Sequence, residues 1–286
     1  MPLVAQRRWV LPVVTLGDPP AGIPGIVARI MCARGIAPAA MRSFLDADPT
    51  EVGPPMLDQE LAVERIRRAL AARERIVVYG DYDVDGVAGS ALLVRAFRRL
   101  GSTVGAYIPD RYEEGYGINA GALRSIAADG VSVVISVDCG ITAVAEAHLA
   151  RELGIDLIIT DHHHPPPALP NAFAVVNPRR PGDPSVDKEL AGAGVAYAIA
   201  RDLLGDAFAA HESELLQLAA VATVADVVPL RSGNRHLVRR GLAALNASPI
   251  VGLRALAERA GVKIGAVSPT PIACRQLGSV CGSPAT

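Results

Sequence analysis

Asp156-Leu157-Ile158-Ile159-Thr160-Asp161-His162-His163-His164-Pro165-Pro166-Pro167 is an apolar run that ends in an acid and three imidazoles. Leu157 to Thr160 has the length and branched content of a buried strand, and the prolines forbid a helix directly behind it. A strand therefore delivers Asp161, His162 and His163 to the start of an extended loop. On extended backbone the two histidines point to opposite sides, so one is expected to bind a metal while the other faces a substrate.

The same arrangement recurs on both sides of this stretch. Ile76–Tyr79, Val104–Ile108, Val133–Val137 and Phe173–Val176 also read as strands. Between them lie Val87–Leu100, Asn119–Asp129 and Thr142–Leu153, which read as helices, with Asn119 a cap and Gly154 a stop. Strands alternating with helices of this length predict an α/β fold. It is a parallel, Rossmann-like sheet of about five strands with helices on both sides. Residues 1–58 read as an arm of short helices, 59–246 as the main domain, and 247–286 as a connector helix with an irregular tail. In the helical extension, Leu190–Leu204, Glu214–Ala225, Arg235–Leu245 and Val251–Ala260 are expected helices. The stretch from Gly265 to Thr286 reads as poorly structured.

Open parallel sheets bind ligands at the carboxyl ends of their strands. After Tyr79 come Asp81, Asp83 and Asp85. After Val137 comes Asp138, and after Thr160 come Asp161, His162 and His163. On extended backbone Asp81, Asp83 and Asp85 would project the same way. Charges so close repel unless a cation sits among them, so a divalent metal site is expected. Asp226 sits at the end of an almost wholly apolar helix, where a buried carboxylate needs a metal, an arginine or a cap role. Mixed carboxylate and imidazole ligands suit Mn²⁺ best, with Mg²⁺ also suitable. About four Asp and one His are too many for one ion with open positions. They suggest two ions sharing a carboxylate, the arrangement that hydrolyses phosphate esters.

Composition narrows the classes. The chain has 286 residues, 50% hydrophobic and 20% charged, and a formal net charge of -1, so no global basic field is available for nucleic acid. Cys32, Cys139, Cys274 and Cys281 lack the spacing of a zinc cluster or a disulfide framework. No run approaches about 20 apolar residues, so no membrane span is expected and a cytoplasmic location is the default. Gly192 and Gly194 follow a loop rather than a strand, so tight helix packing explains them better than a dinucleotide fingerprint does.

Taken together, Val78-Tyr79-Gly80-Asp81-Tyr82-Asp83-Val84-Asp85-Gly86, Val137-Asp138-Cys139-Gly140, Asp161-His162-His163 and Ala225-Asp226-Val227-Val228-Pro229-Leu230 resemble the DHH phosphoesterase superfamily. Within it they are similar to the RecJ-like branch of 5′→3′ exonucleases specific for single-stranded DNA. Pro109-Asp110-Arg111, Glu114-Gly115-Tyr116-Gly117, Leu190–Ala196 and Arg8-Trp9 add to the resemblance. The resemblance implies that Asp83, Asp85, Asp138, His162 and Asp226 hold two metal ions, with Asp138 bridging and Asp81 supporting. It implies that His163 contacts the scissile phosphate or acts as an acid, and that Arg111, Tyr116 and Asn119 lie near the nucleic-acid path. It also implies single-stranded DNA and repair or recombination proteins as partners. Members of this branch continue into a second domain through a motif expected near Gln276-Leu277-Gly278, where this chain runs into Ser279–Thr286. A truncated enzyme is therefore expected, weakened on long single strands. The alternatives are a phosphodiesterase for short oligonucleotides or cyclic dinucleotides, and a catalytically weak fragment that binds DNA or a partner.

Overall fold

Apolar residues occur on both faces of the central strands, as in a parallel sheet covered on both sides. In the computed structural model the described residues are 18–46 and 53–273, and they fall in two compact units, Met1–Glu51 and Val52–Thr286. Arg8-Trp9, Cys274, Cys281 and the Gln276-Leu277-Gly278 positions lie outside them. In the first unit, α1 (Gly25–Ala33) and α2 (Met41–Asp46) enclose a small core of Ile23, Ala28, Met31 and Met41.

The second unit opens with α3 (Gln59–Ala72). Then follow β1 (Arg75–Gly80), α4 (Val84–Arg99), β2 (Gly105–Tyr107), α5 (Ala120–Ala128), β3 (Val131–Val137), α6 (Val144–Glu152), β4 (Asp156–Thr160) and β5 (Ala174–Val176). All four strand pairings are parallel, in the order β2-β1-β3-β4-β5. Side chains alternate between the two faces as the pleat requires. Ile76, Val78, Val133, Ile135 and Ile158 pack into the larger core with α3, α4 and the C-terminal helices. Tyr79, Val134, Leu157 and Ile159 pack on the other face with α5 and α6. The order reverses between β1 and β3: β1 leads outward to β2, and the chain then crosses back to β3. Ligands bind at such a switch point, outside the carboxyl ends of the strands.

The helical extension comprises α7 (Gly192–Leu204), α8 (Phe208–Ala225), α9 (Ser232–Ala247), α10 (Val251–Arg259) and α11 (Pro269–Ala273). Every residue of α8 from Leu215 to Val224 is buried, because α4, α7 and α9 all pack against it. The expected tail is ordered as far as it is described. Val267 and Ile272 are buried, and Asn246 accepts from the Val267 amide and donates to its carbonyl. Two apolar anchors and one side-chain clamp suffice here without helical periodicity. The crossing of α8 and α9 is so close that a Cβ on Gly241 would stand 2.2 Å from the Leu216 carbonyl oxygen and 2.4 Å from Ala220 Cβ.

Gly241→Ala should therefore destabilise the protein by about 1–3 kcal/mol, because overpacking against backbone outweighs the helix-propensity gain of about 1 kcal/mol. Gly252→Ala, where a Cβ meets nothing within 4 Å, should be neutral or stabilising. Urea unfolding of the two variants checks the contrast; equal effects would contradict this account of the crossing.

Candidate metal centre

The chain leaves β1 at Gly80, and the Asp81 amide adds one more ladder bond, to the Val137 carbonyl at 3.2 Å. The condition for all three aspartates to project the same way, an extended backbone, is met at Asp83 but not at Asp85. Helix α4 begins at Val84, and Asp83 caps it, accepting from the amides of Asp85 and Gly86 at 2.8 and 3.0 Å. A cap of this kind satisfies amides that the first helical turn leaves bare. Gly86 makes room for the tight entry: a Cβ there would meet the Asp81 backbone at 2.5 Å. The three carboxylates therefore do not share one set of donors: Asp81 and Asp83 come within 4.8 Å of each other, and Asp85 turns to a different set. Asp81 ends a strand, Asp83 caps a helix, and Asp85 lies fully buried in the first turn.

Asp85 is held from across the cleft. Its oxygens accept from the Gly192 and Ala193 amides at 2.6 and 2.8 Å, the first two residues of α7. The positive end of that helix offsets part of the buried charge. A Cβ on Gly192 would lie 2.7 Å from Asp138 Cβ, so this glycine is required by the centre itself and not only by helix packing. Asp138 follows β3 with φ +63°, a left-handed conformation that aspartate tolerates better than most residues. Asp226 caps the C-terminus of α8 and brings its carboxylate to the same place.

His162 is buried among these acids. Its Nε2 lies 3.1 Å from Asp138 Oδ1 and 3.7 Å from both Asp85 Oδ2 and Asp226 Oδ2. None of these contacts is aligned as a hydrogen bond. Asp81 Oδ1, Asp138 Oδ1, Asp226 Oδ2 and both ring nitrogens of His162 are buried without a hydrogen-bond partner. Burial, with the positive charge of His163 behind it, pushes the His162 pKa down to about 4, so the ring is neutral and free to ligate. Burial and neighbouring carboxylates push Asp81 and Asp226 up to about 6, and push Asp85 and Asp138 up as well.

Among the described residues three sets of donors can each converge on one ion, with their atoms within 4.8 Å of one another: Asp81, Asp83 and Asp138; Asp85, His162 and Asp226; and Asp138, His162 and His163. Asp138 belongs to two of them. The two histidines do not face opposite sides. Their rings are 4.5 Å apart, and His163 Nδ1 lies 3.8 Å from Asp138 Oδ1. Asp161 turns the chain by accepting from the amides of His162, His163 and Ile141 at 2.7, 3.0 and 2.9 Å, and from His163 Nδ1 at 2.8 Å. Burial pushes the Asp161 carboxyl up, but these bonds outweigh it and the net shift is down. The bond to Asp161 raises the His163 pKa, and the ring is half-exposed at the mouth.

The unpartnered donor set lies at the switch point, on the stretches that carry the DHH motifs. Residues 75–223 match the model of the DHH family, N-terminal domain. The chain belongs to the DHH family. It is 44% identical over 243 residues to the single-stranded-DNA-specific exonuclease RecJ of Bacillus subtilis, covering 84% of this chain and 30% of that protein. It is 37% identical to RecJ of Escherichia coli, covering 84% and 44%. A crystal structure of exonuclease RecJ bound to manganese superposes with a TM-score of 0.68 at 38% identity, over 78% of this chain and 56% of that one. RecJ of Thermus thermophilus in complex with Mn²⁺ superposes with a TM-score of 0.66 at 34% identity, over 86% and 37%. The chain thus spans less than half the length of the RecJ sequences named here.

Around the DHH centre the remaining expected residues take different places. Arg111 stacks its guanidinium 4.4 Å over the Tyr82 ring. The Tyr116 hydroxyl lies 3.4 Å from the Asp138 carbonyl oxygen and 3.5 Å from His163 Nδ1. Asn119 caps α5 through Oδ1, as expected, and its Nδ2 is committed to the Tyr79 hydroxyl and Glu114. Three functional features are absent from the sequence reading: Asp161 as the organiser of both histidines, the α7 amides on Asp85, and Tyr82 beneath Arg111.

Crowded carboxyls set the pH response of the metal-free protein. Their folded pKa values lie above the ordinary 3.8, at about 6 for Asp81 and Asp226. The folded state therefore binds more protons, and the stabilisation is complete below 3.8 and lost as pH rises, through about 6 for Asp81 and Asp226 and on through about 8 for Asp85. In EDTA the melting temperature should fall across that interval, and saturating Mn²⁺ should abolish the slope. Asp138→Asn should raise the melting temperature in EDTA near pH 7 while removing the Mn²⁺ response. A flat profile in EDTA would contradict the crowding.

Proposed function

We propose that the chain hydrolyses phosphodiester bonds with two divalent metal ions, Mn²⁺ or Mg²⁺. Its fullest reading is removal of mononucleotides from the 5′ end of single-stranded DNA, as part of cytoplasmic repair or recombination. The observation that carries the reading is the set of buried oxygen and nitrogen atoms left without partners at one point of the cleft. Such atoms are costly unless something binds them, and oxygen-rich donors with one imidazole suit these ions. The RecJ structures named above hold manganese, which supports the same donor chemistry.

Asp81, Asp83, Asp85, Asp138, His162 and Asp226 would hold the ions, with Asp138 shared. When bound, the pair would supply a hydroxide at neutral pH and offset charge on the phosphate. Asp161 commits His163 Nδ1, which leaves Nε2 to donate a proton to, or hydrogen-bond, an oxygen of the scissile group. The two α7 amides keep the Asp85 carboxylate oriented without needing solvent. Arg111 and Tyr116 stand at the mouth, where a phosphate and a base could be met by a fork of donors and an aromatic ring. Asn119 contributes by holding that loop, since both ends of its amide are engaged. Among the described residues no helix is long and apolar enough to cross a membrane.

Mn²⁺-dependent release of mononucleotides from 5′-labelled single-stranded DNA tests the reading. Asp138→Ala should abolish release, and His163→Ala should slow it by about 100-fold or more. Undiminished hydrolysis in EDTA, or in Asp138→Ala, sinks the proposal. A substrate length series separates an exonuclease from a phosphodiesterase of short oligonucleotides. The near-neutral charge and 4% aromatic content favour the short end for this chain alone.

A further inference from the structure

The loop between β2 and α5 carries Arg111 and Tyr116, and it contains no regular element. Its fixed points converge on one side chain. Glu114 Oε1 accepts from Asn119 Nδ2 at 3.0 Å and from the Tyr107 hydroxyl, and Oε2 accepts from the Asp110 amide at 2.7 Å. The Glu114 amide in turn donates to the Asp110 carbonyl at 2.9 Å. Asp110 Oδ1 takes the amides of Tyr112 and Glu113 at 2.8 and 3.1 Å. Residues 110 to 114 thus form a turn closed by its own ends, with Arg111 at its start.

The turn is tied to the sheet. Tyr107 ends β2 and stacks on Tyr79 of β1, with ring centroids 5.1 Å apart and planes inclined at 23°. Tyr79 is fully buried, donates to the Gly117 carbonyl at 3.1 Å and accepts from Asn119 at 3.3 Å. Gly115 and Gly117 both have positive φ, +78° and +87°, so Tyr116 projects between two left-handed glycines. Its ring meets those of Tyr82 and His163 edge-on, at 6.3 and 6.1 Å. Glu114 bonds both Tyr107 and Asn119, and through them the turn is fastened to Tyr79 and the sheet.

We propose that Glu114 is a positioning residue that holds Arg111 and Tyr116 over the mouth of the metal centre, so that single-stranded nucleic acid is gripped beside the scissile phosphate. This rests on the phosphodiesterase reading for its substrate, but Glu114 itself touches neither the donor set nor the proposed ligand. Removing its carboxylate should loosen the grip and leave the chemistry intact. A single hub explains why a loop without secondary structure can be specific. Ordering it before the ligand arrives avoids an entropic cost at binding.

The test uses wild type, Glu114→Ala, Arg111→Ala and the double variant, each with two readouts. One is Mn²⁺-dependent hydrolysis of bis(p-nitrophenyl) phosphate, which needs the metal centre but no strand. The other is anisotropy of a labelled, hydrolysis-resistant phosphorothioate oligodeoxynucleotide. Glu114→Ala is expected to raise Kd about tenfold while hydrolysis of the small diester stays within about twofold. In the double variant the rise in Kd should fall clearly short of the product of the two single effects, because the Arg111 part of the grip is already lost and only the Tyr116 part remains to be loosened. Tyr107→Phe, which keeps the ring stack and deletes one bond into Glu114, should weaken binding in the same direction by less. It covers the case in which Glu114→Ala folds poorly. Unchanged Kd in Glu114→Ala and Tyr107→Phe overturns the proposal. So do independent, multiplicative effects in the double variant, or a parallel fall in diester hydrolysis. Wild type that binds the strand but hydrolyses no diester defeats the functional reading instead, and leaves the Kd comparison to decide on Glu114.

Discussion

Repulsion among carboxylates that cannot reach water governs this structure. Asp81, Asp85 and Asp138 are buried, Asp226 is mostly so, and all approach one another at the carboxyl ends of β1 and β3. In a low-dielectric cleft such charges are costly unless dipoles or cations meet them. Dipoles from the fold meet part of the charge: the α4 amides meet Asp83, the α7 amides meet Asp85, and three loop amides meet Asp161. What remains unmet is localised on a few oxygens and one imidazole, and that residue of unmet demand is what a metal ion would satisfy. Rigidity follows from the same balance, since Asp83, Asp85 and Asp161 are pinned by backbone rather than by flexible side chains.

The doubly wound topology is the means of bringing the acids together. Strand order reverses between β1 and β3, so the loops after these strands diverge to opposite sides and leave a crevice. Asp81 and Asp138 line it because they follow those strands directly. Helix α8 then reaches the same point from the extension, and it can do so only because it is apolar all round and buried along most of its length. Asp226 arrives as the first charged residue after that buried run, where helix α8 ends and Val227 turns the chain in a left-handed conformation.

Much of this is legible in the sequence. Continuous apolar runs mark the strands, because strands covered on both faces are apolar throughout, and acids following three of them mark the centre. The start of helix α4 is ambiguous, because an aspartate after a strand serves equally as extended backbone or as a cap. The choice falls to Gly86, whose missing Cβ allows the helix to begin at once. The role of Asp161 has a signal of its own: an aspartate can take the amides of the next two residues with its side chain. Glu114 carries none, since its partners are gathered from a strand end, a turn and a helix cap with no common spacing. Packing is half of the role of Gly192. Nothing in a loop-then-glycine pattern says which carboxylate the glycine will abut.

The grip of α7 on Asp85 makes that helix a listening post. The amide protons of Gly192 and Ala193 sit on the carboxylate oxygens that face the unmet charge. An ion held by those oxygens would draw electron density from them and weaken both bonds. With a diamagnetic ion such as Mg²⁺ the nuclear magnetic resonance frequencies of these two protons would therefore be an internal gauge of occupancy, readable without substrate and without turnover.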